Sequence, residues 1–259
     1  MKLYKYKSIN GPHRDHALDL IIKRNAYFRN SDQLNDPFEI DIDIHKDRRI
    51  GELGKIIASK PGMREEMANT IARDIFSSGD SDEGNFPDEL ARSFKRHFYI
   101  FCMSGAPDIV ALWSYYADNH SGVCIEMELD EDVAMRHIKP SIIKGNKAIF
   151  NVDYDDDTPN IVDSDNYSEE SLLVFKRKHN SWKTEMESRI IFYNAIYSDG
   201  YKGELPPNSI KSVTFGMRCS DAELDSMAGD IRQHCPEIVI KRAYKIPGHR
   251  RLLSKPVPF

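Results

Sequence analysis

Glu185 and Glu187 lie two positions apart in SWKTEMESRIIFYNAIY, Ser181 to Tyr197, and Arg189 follows two positions later. Read as an extended chain, this segment turns Trp182, Thr184 and Met186 one way and both carboxylates and the guanidinium the other. Such a pair can stabilise positive charge that develops in a reaction, or orient and deprotonate an acceptor as a general base. Together with Asp36, Glu39 and Lys183, the same carboxylates could hold magnesium and position water, which is the chemistry of a metal-dependent nuclease. The plainer alternative is a ladder of exposed charges on an edge strand.

A second polar set, Ser114, Tyr116, Asp118, Asn119 and His120, collects inside WSYYADNHSGVCIEMEL, Trp113 to Leu129. Ala111, Leu112, Tyr115 and Tyr116 recur at helical spacing. Val123, Ile125, Met127 and Leu129 alternate with polar residues, so a short helix, a turn at Asn119 to Gly122 and a core strand are expected. Asn35 and Asp36 fall in the turn-rich loop SDQLNDPFEI. We expect this loop and Trp113 to Gly122 to face one cleft with Glu187, since loops held by rigid elements carry much binding and chemistry. The structural alternative makes Trp113 and the tyrosines core, Asn35 and Asp36 a turn, and His120 a helix cap.

The elements that must position these groups follow from periodicity. Lys2 to Lys7 reads as a strand, His16 to Asn25 as a helix with Leu18, Ile21 and Ile22 inside, and Ala26 to Asn30 as a second strand. Helical patterns fill about 48–97, interrupted by Lys60-Pro61-Gly62 and a polar loop, and read as an insertion. Phe98 to Met103 is a strand. Asp130 to His137 is a short helix, Lys144 to Asn146 a hairpin turn, Asp153 to Asp157 a solvated acidic loop, and Ser168 to His179 a helix. Ser209 to Gly216 and Glu237 to Ile246 are strands about a helix from Ser220 to Cys235, which Ser220 and Glu223 open with a capping box. The expected architecture is a single α+β domain over 1–259 with a split or mixed central sheet and the helical insertion.

A net charge of -5 supplies no overall basic field for nucleic acid. The four cysteines are scattered and no CxxC or HExxH occurs, so neither disulfides nor a bound metal is expected. No run approaches the roughly 20 apolar residues that cross a bilayer, and KLYKYK opens no signal sequence, so a cytoplasmic protein with no membrane association is expected. GxGxxG, GxxxxGK[ST] and GxSxG are all missing, which argues against dinucleotide-binding Rossmann, P-loop and α/β-hydrolase enzymes.

LNDPFE at Leu34 to Glu39, WSYYADNHSGVCIE at Trp113 to Glu126 and WKTEMESR at Trp182 to Arg189 resemble a bacterial domain-of-unknown-function family. LYKY at Leu3 to Tyr6 and the FG at Phe215 before a capped helix extend the resemblance over nearly the whole chain apart from the insertion and the acidic loop. Members occur among phage-defence and toxin-antitoxin genes, which implies a toxic effector and a possible antitoxin protein as partner. The order LYKY, helix, YFRNS is also similar to the start of ADP-ribosyltransferase folds, which implies NAD as substrate and a macromolecule, RNA or protein, as acceptor. In that resemblance Lys5 stands where many of those enzymes carry histidine, Tyr6 or Tyr4 shares its work, and Glu185-Met186-Glu187 matches their late Glu-x-Glu pair. Glu187 is then the first candidate for the catalytic carboxylate and Glu185 the second. Tyr27 or Tyr116 would stack on nicotinamide and Arg29 or Lys5 would meet the pyrophosphate. A non-enzymatic sensor or binding module is the third reading, beside the transferase and the nuclease.

Overall fold

A computed structural model describes residues 1–40, 92, 95–138, 148–159, 173–194, 198–249 and 251–258. The expected hairpin at Lys144 to Asn146, nearly all of the expected insertion at 48–97 and the start of the expected 168–179 helix lie outside these residues. The strands are β1 (Lys2–Lys7), β2 (Asn25–Asn30), β3 (Phe98–Ser104), β4 (Val123–Glu128), β5 (Phe150–Asn151), β6 (Asp153–Tyr154), β7 (Arg177–Lys178), β8 (Glu187–Tyr193), β9 (Gly200–Glu204), β10 (Ile210–Phe215), β11 (Val239–Lys245) and β12 (Leu252–Pro256). Among the described residues, the α-helices with both ends placed are α1 (His13–Lys23), α2 (Val110–Tyr115), α3 (Glu131–Ile138) and α4 (Asp221–His234). They form an α+β structure around one mixed, mostly antiparallel and unclosed sheet, ordered β12-β11-β10-β4-β1-β3-β2-β9, with β8 on β3 and β5 on β8. Among the described residues, only β10 and β11 pair in parallel within it.

The period-two pattern of β4 places Val123, Ile125 and Met127 in the main core beside Leu3, Ile210, Val213 and Phe215. Onto that face α4 lays Leu224, Met227, Ala228 and Ile231, and α1 lays Ala17, Leu20 and Ile21. Arg14 ties the two helices, reaching Glu223 at 3.2 Å and Asp230 at 2.7 Å. The expected capping box is therefore half formed. Ser220 Oγ accepts the Glu223 N–H at 3.2 Å, while the Glu223 carboxylate serves Arg14. The opposite face holds a smaller core of Tyr6, Leu112, Trp113, Ala117, Cys124, Ala243 and Leu252, on which α2 sits.

The sheet opens between β1 and β2. Both strands run antiparallel to β3, but β1 pairs with it only at Tyr4 and Ser104, and β2 only at Arg29 with Ile100 and Asn30 with Tyr99. The middle of β3 is thus unpaired on that edge, although β8 pairs along its whole other edge from Phe98 to Ser104. Lys5 enters the gap, and its Nζ donates to the Cys102 carbonyl at 2.6 Å, satisfying a backbone acceptor that a continuous ladder would have used.

Several boundaries differ from the sequence expectation for local reasons. The first helix begins at His13 rather than His16 and ends at Arg24, which takes the left-handed conformation (φ 58°) as C-cap. Of 168–179, only 173–176 is helical among the described residues, and Arg177–Lys178 turns into β7, paired in parallel with β6. Part of the acidic loop is accordingly strand, and Asp153 and Asp155 pair with Lys176 and Arg177 at 2.8 and 3.0 Å.

Candidate functional site

The carboxylate pair is built by a corner rather than by a continuous strand. Asn180–Glu185 is a 3-10 turn, Met186 follows in the left-handed conformation (φ 48°), and β8 starts at Glu187. An extended reading therefore fails over residues 182–186, and Glu185 meets Glu187 through the turn and the reversal at Met186 rather than through strand alternation. Met186 itself is exposed. The end of β3 clamps this corner: Ser104 Oγ donates to the Glu185 carbonyl at 2.7 Å and the Gly105 N–H to the Met186 carbonyl at 2.8 Å. The Glu187 N–H donates to Tyr154 Oη at 2.7 Å.

Both carboxylates are buried, so the exposed-ladder alternative does not hold. Lys178 Nζ donates to Glu185 Oε2 at 2.7 Å and to Glu187 Oε2 at 2.8 Å, and lies 4.9 Å from the centroid of the half-buried Trp182 ring. Arg189, wholly buried, donates through Nε to Glu187 Oε1 at 2.8 Å, to the Phe175 carbonyl at 2.8 Å and in bidentate fashion to Glu39. Burial alone would raise the Glu187 pKa. The charges of Arg189 and Lys178 outweigh it and hold the carboxyl well below the usual range. Burial likewise opposes the Lys178 charge, but Glu187 and Glu185 push its pKa well above the ordinary lysine value. Three carboxylates thus share two fixed cations.

Tyr116 joins this cluster to the LNDPFE loop. Its hydroxyl donates to Glu185 Oε1 at 3.0 Å and accepts from Asn35 Nδ2 at 3.0 Å. Burial and the Glu185 charge both raise its pKa, so the phenol stays protonated as a donor. Beneath it Trp113 anchors α2, with Nε1 donating to the Pro107 carbonyl at 2.9 Å and the ring edge-on to Tyr6 at 5.3 Å.

Asn35, Glu39, Tyr116, Lys178, Glu185 and Glu187 line a cleft of about 610 Å³ at the split of the sheet. It reaches from Tyr115 of α2 and Tyr116, which caps that helix, past the unpaired edge of β3, to His13, His16 and Asp19 of α1. Of the residues singled out from the sequence, Lys5, Tyr6, Tyr27, Arg29, Asn35, Tyr116, Glu185 and Glu187 line it; Asp36 and His120 do not. Asp36 Oδ1 accepts the Phe38 N–H at 3.0 Å within its own turn. His120 stacks on Trp113 with ring centroids 6.2 Å apart, and its carbonyl accepts the Arg218 N–H at 2.9 Å. Asp118, Asn119 and His120 all have positive φ, and Asp118 Oδ2 accepts from Ser8 Oγ at 2.6 Å and the Ile9 N–H at 2.9 Å. That turn ties the end of β1 to α2.

The five nuclease candidates are not assembled: Glu39, Glu185 and Glu187 cluster around Lys178 and Arg189, Asp36 faces its turn, and Lys183 is exposed. Among the described residues no group of three or more His, Cys, Asp or Glu is arranged to hold a metal ion. Two lining residues are absent from the sequence-based set: Lys178, which falls within the expected Ser168 to His179 helix, and Lys7. Lys7 carried a readable signal, because it lies two positions from Lys5 on a strand and so shares its face.

The fold and site define an α+β protein with a cleft where its sheet parts and a buried carboxylate cluster on one wall. A family model described as "Protein of unknown function (DUF2971)" matches residues 112–190, from within α2 into β8. Tyr116, Lys178, Glu185, Glu187 and Arg189 all fall within that stretch. Comparison with curated proteins and with solved structures found no match. Among the described residues no helix is long and apolar enough to cross a membrane.

Proposed function

We propose that the chain is an ADP-ribosyltransferase-like toxin or defence effector, which cleaves NAD in this cleft and transfers ADP-ribose to a macromolecule, RNA or protein. The observation that carries the reading is the polarity of the cleft: Glu185 and Glu187 line it together with Lys5 and Arg29 at the place where β1 and β2 part. NAD has a cationic ring at one end and a pyrophosphate in its middle, so it needs carboxylates and cations along one groove. Cleavage of the nicotinamide-ribose bond builds positive charge on the ribose, and a carboxylate beside it stabilises the transition state more than the ground state. Within this reading Glu185 meets the ribose, because one ammonium and one phenol hold it, whereas Glu187 holds both Lys178 and Arg189. The resemblance to ADP-ribosyltransferases implies the reverse order.

The test is incubation of the purified protein with labelled NAD and a whole-cell extract, with protein and RNA fractions analysed separately. Label in either fraction that is lost in Glu185→Gln supports the reading. No label, no release of nicotinamide and no change in thermal stability with millimolar NAD would remove it. A binding module without turnover is the second reading, favoured by the completeness with which Arg189 and Lys178 engage Glu187. NAD-induced stabilisation without nicotinamide release would select it.

A further inference from the structure

Lys5 and Lys7 project from alternate positions of β1, and Arg29 comes from β2 on the other side of the split; all three line the cleft. Among the described residues, none of the three has a carboxylate within ion-pairing distance. Within the described residues, Lys5 Nζ meets the Cys102 carbonyl and the Phe101 ring, whose centroid is 5.0 Å away. Arg29 has a long contact of 3.4 Å to the Gln33 carbonyl. Lys7, half-buried, has no hydrogen-bond partner for its ammonium within the described residues. Asp19 of α1 also lines the cleft but is engaged elsewhere, with Lys23 and Lys202 at 3.1 and 3.0 Å and Asn25 at 3.2 Å. Burial works against its ionisation, and these hydrogen bonds nevertheless bring it down to about 2, so it remains a satisfied anion.

Glu187 and Glu185 across the cleft attract Lys5 only through space, so the three cations gather in a partly dry place with no carboxylate in contact, and charges removed from water are ordinarily paired. We propose that Lys5, Lys7 and Arg29 form an anion subsite for the phosphate groups of a small nucleotide, with Lys7 as its central ligand. Lysine and arginine both bind phosphate through charge-assisted hydrogen bonds. Burial first, then the like charges of Lys5 and Arg29, lower the Lys7 pKa to about 8, against a weaker pull upward from Asp19. Other titratable or charged groups lining the cleft include His13 and His16 of α1, Tyr27 of β2 and Lys202 of β9, and Glu187 and Glu185, which attract Lys5. The subsite is therefore charged at neutral pH and loses its central charge in mild alkali. It stands on binding alone and does not require that NAD be turned over.

The test is calorimetric titration of the full chain with ADP, and with adenosine as control, at pH 7.0 and 9.5. ADP should bind at least about tenfold more tightly than adenosine at pH 7.0 and lose about tenfold of that affinity by pH 9.5, as a group titrating near 8 requires. Lys7→Met should bind ADP about tenfold more weakly at pH 7.0 with little further loss in alkali. Lys7→Arg should bind as the parent does at pH 7.0 and keep its affinity at pH 9.5. Equal affinities for ADP and adenosine, absence of ADP binding at millimolar concentration, parental affinity in Lys7→Met, or an unchanged alkaline loss in Lys7→Arg would each overturn the subsite. ADP binding through Lys7 with no reaction of labelled NAD would leave the subsite standing and remove the transferase.

Discussion

Lys178 donates to Glu187 across 2.8 Å with both side chains 4 % exposed, and the same ammonium holds Glu185, so one cation fixes the spacing of the carboxylate pair. Its removal strands charge in a dry place. Lys178→Met should lower stability by about 3–5 kcal/mol, the range seen when one partner of a buried ion pair is deleted. Chemical denaturation at pH 7 measures it, and a loss under about 1 kcal/mol would show that the two carboxylates reach water or protons without Lys178.

The two carboxylates should separate in mutation. Glu187→Gln takes a counter-charge from both Lys178 and Arg189, although Arg189 keeps its bidentate partner Glu39. It should stay folded, lose about 2–4 kcal/mol and lose activity with it. Glu185→Gln keeps the Tyr116 contact through its amide oxygen and should lose about 1 kcal/mol or less, yet about 10²-fold or more in transfer rate. Equal stability costs, or full transfer by Glu185→Gln, would return the ribose role to Glu187.

The pair also sets an acid limit. The Glu187 pKa is depressed in the folded state, so its contribution is present above the ordinary glutamate value near 4.3 and is lost as pH falls from there toward the lower folded value. The Lys178 pKa is raised, so its contribution is complete at neutral pH and is lost only in strong alkali. Urea midpoints should fall below about pH 4 and fall less in Glu187→Gln. Parallel acid profiles for the two proteins would contradict this.

Much of the frame was legible because it obeys short-range rules. The alternation in Val123–Glu128 and the helical stripe at Leu224, Met227, Ala228 and Ile231 each report a buried face directly. Glu187 and Arg189 likewise share a side of β8 by strand alternation, and both are buried. Glu185 reached the same cluster by another route, a 3-10 turn and a left-handed Met186, which no period in the sequence encodes. Lys178 approaches across that turn from a separate two-residue strand, so its partnership is tertiary. β9 was missed because GYKGE has two glycines and no apolar alternation. One of them has a reason: a Cβ at Gly200 would lie 2.1 Å from the Tyr27 ring, which crosses the strand there.

That contact gives a test of Tyr27 as a wall of the cleft. The atoms that a Cβ at residue 200 would meet are the far end of a side chain, which can swing away. Gly200→Ala should therefore cost about 1 kcal/mol or less while displacing the ring. If the ring packs against a bound nucleotide, Gly200→Ala and Tyr27→Ala should weaken ADP binding by similar factors, and the double variant by no more than either alone. Additive losses would place the effect of the alanine somewhere other than Tyr27.

Lys7 supplies a prediction that needs no ligand. Its folded pKa, about 8, lies below the value near 10.4 expected for an unfolded chain. Between these values the unfolded state binds more protons than the folded one, so stability rises with pH across that window and is lower on the neutral side. A depression of this size corresponds to about 3 kcal/mol at most, and residual solvent contact of a half-buried side chain reduces it to about 1–2 kcal/mol. Lys7→Met should then be more stable than the parent at pH 7, with the gap closing toward pH 10, in urea titrations run without nucleotide. Saturating ADP should narrow the gap at pH 7 from the parent side, because an anion beside the ammonium removes the cost that methionine removes by deleting the charge. A Lys7→Met protein less stable than its parent at pH 7 would mean that the ammonium already has compensating partners in the folded chain.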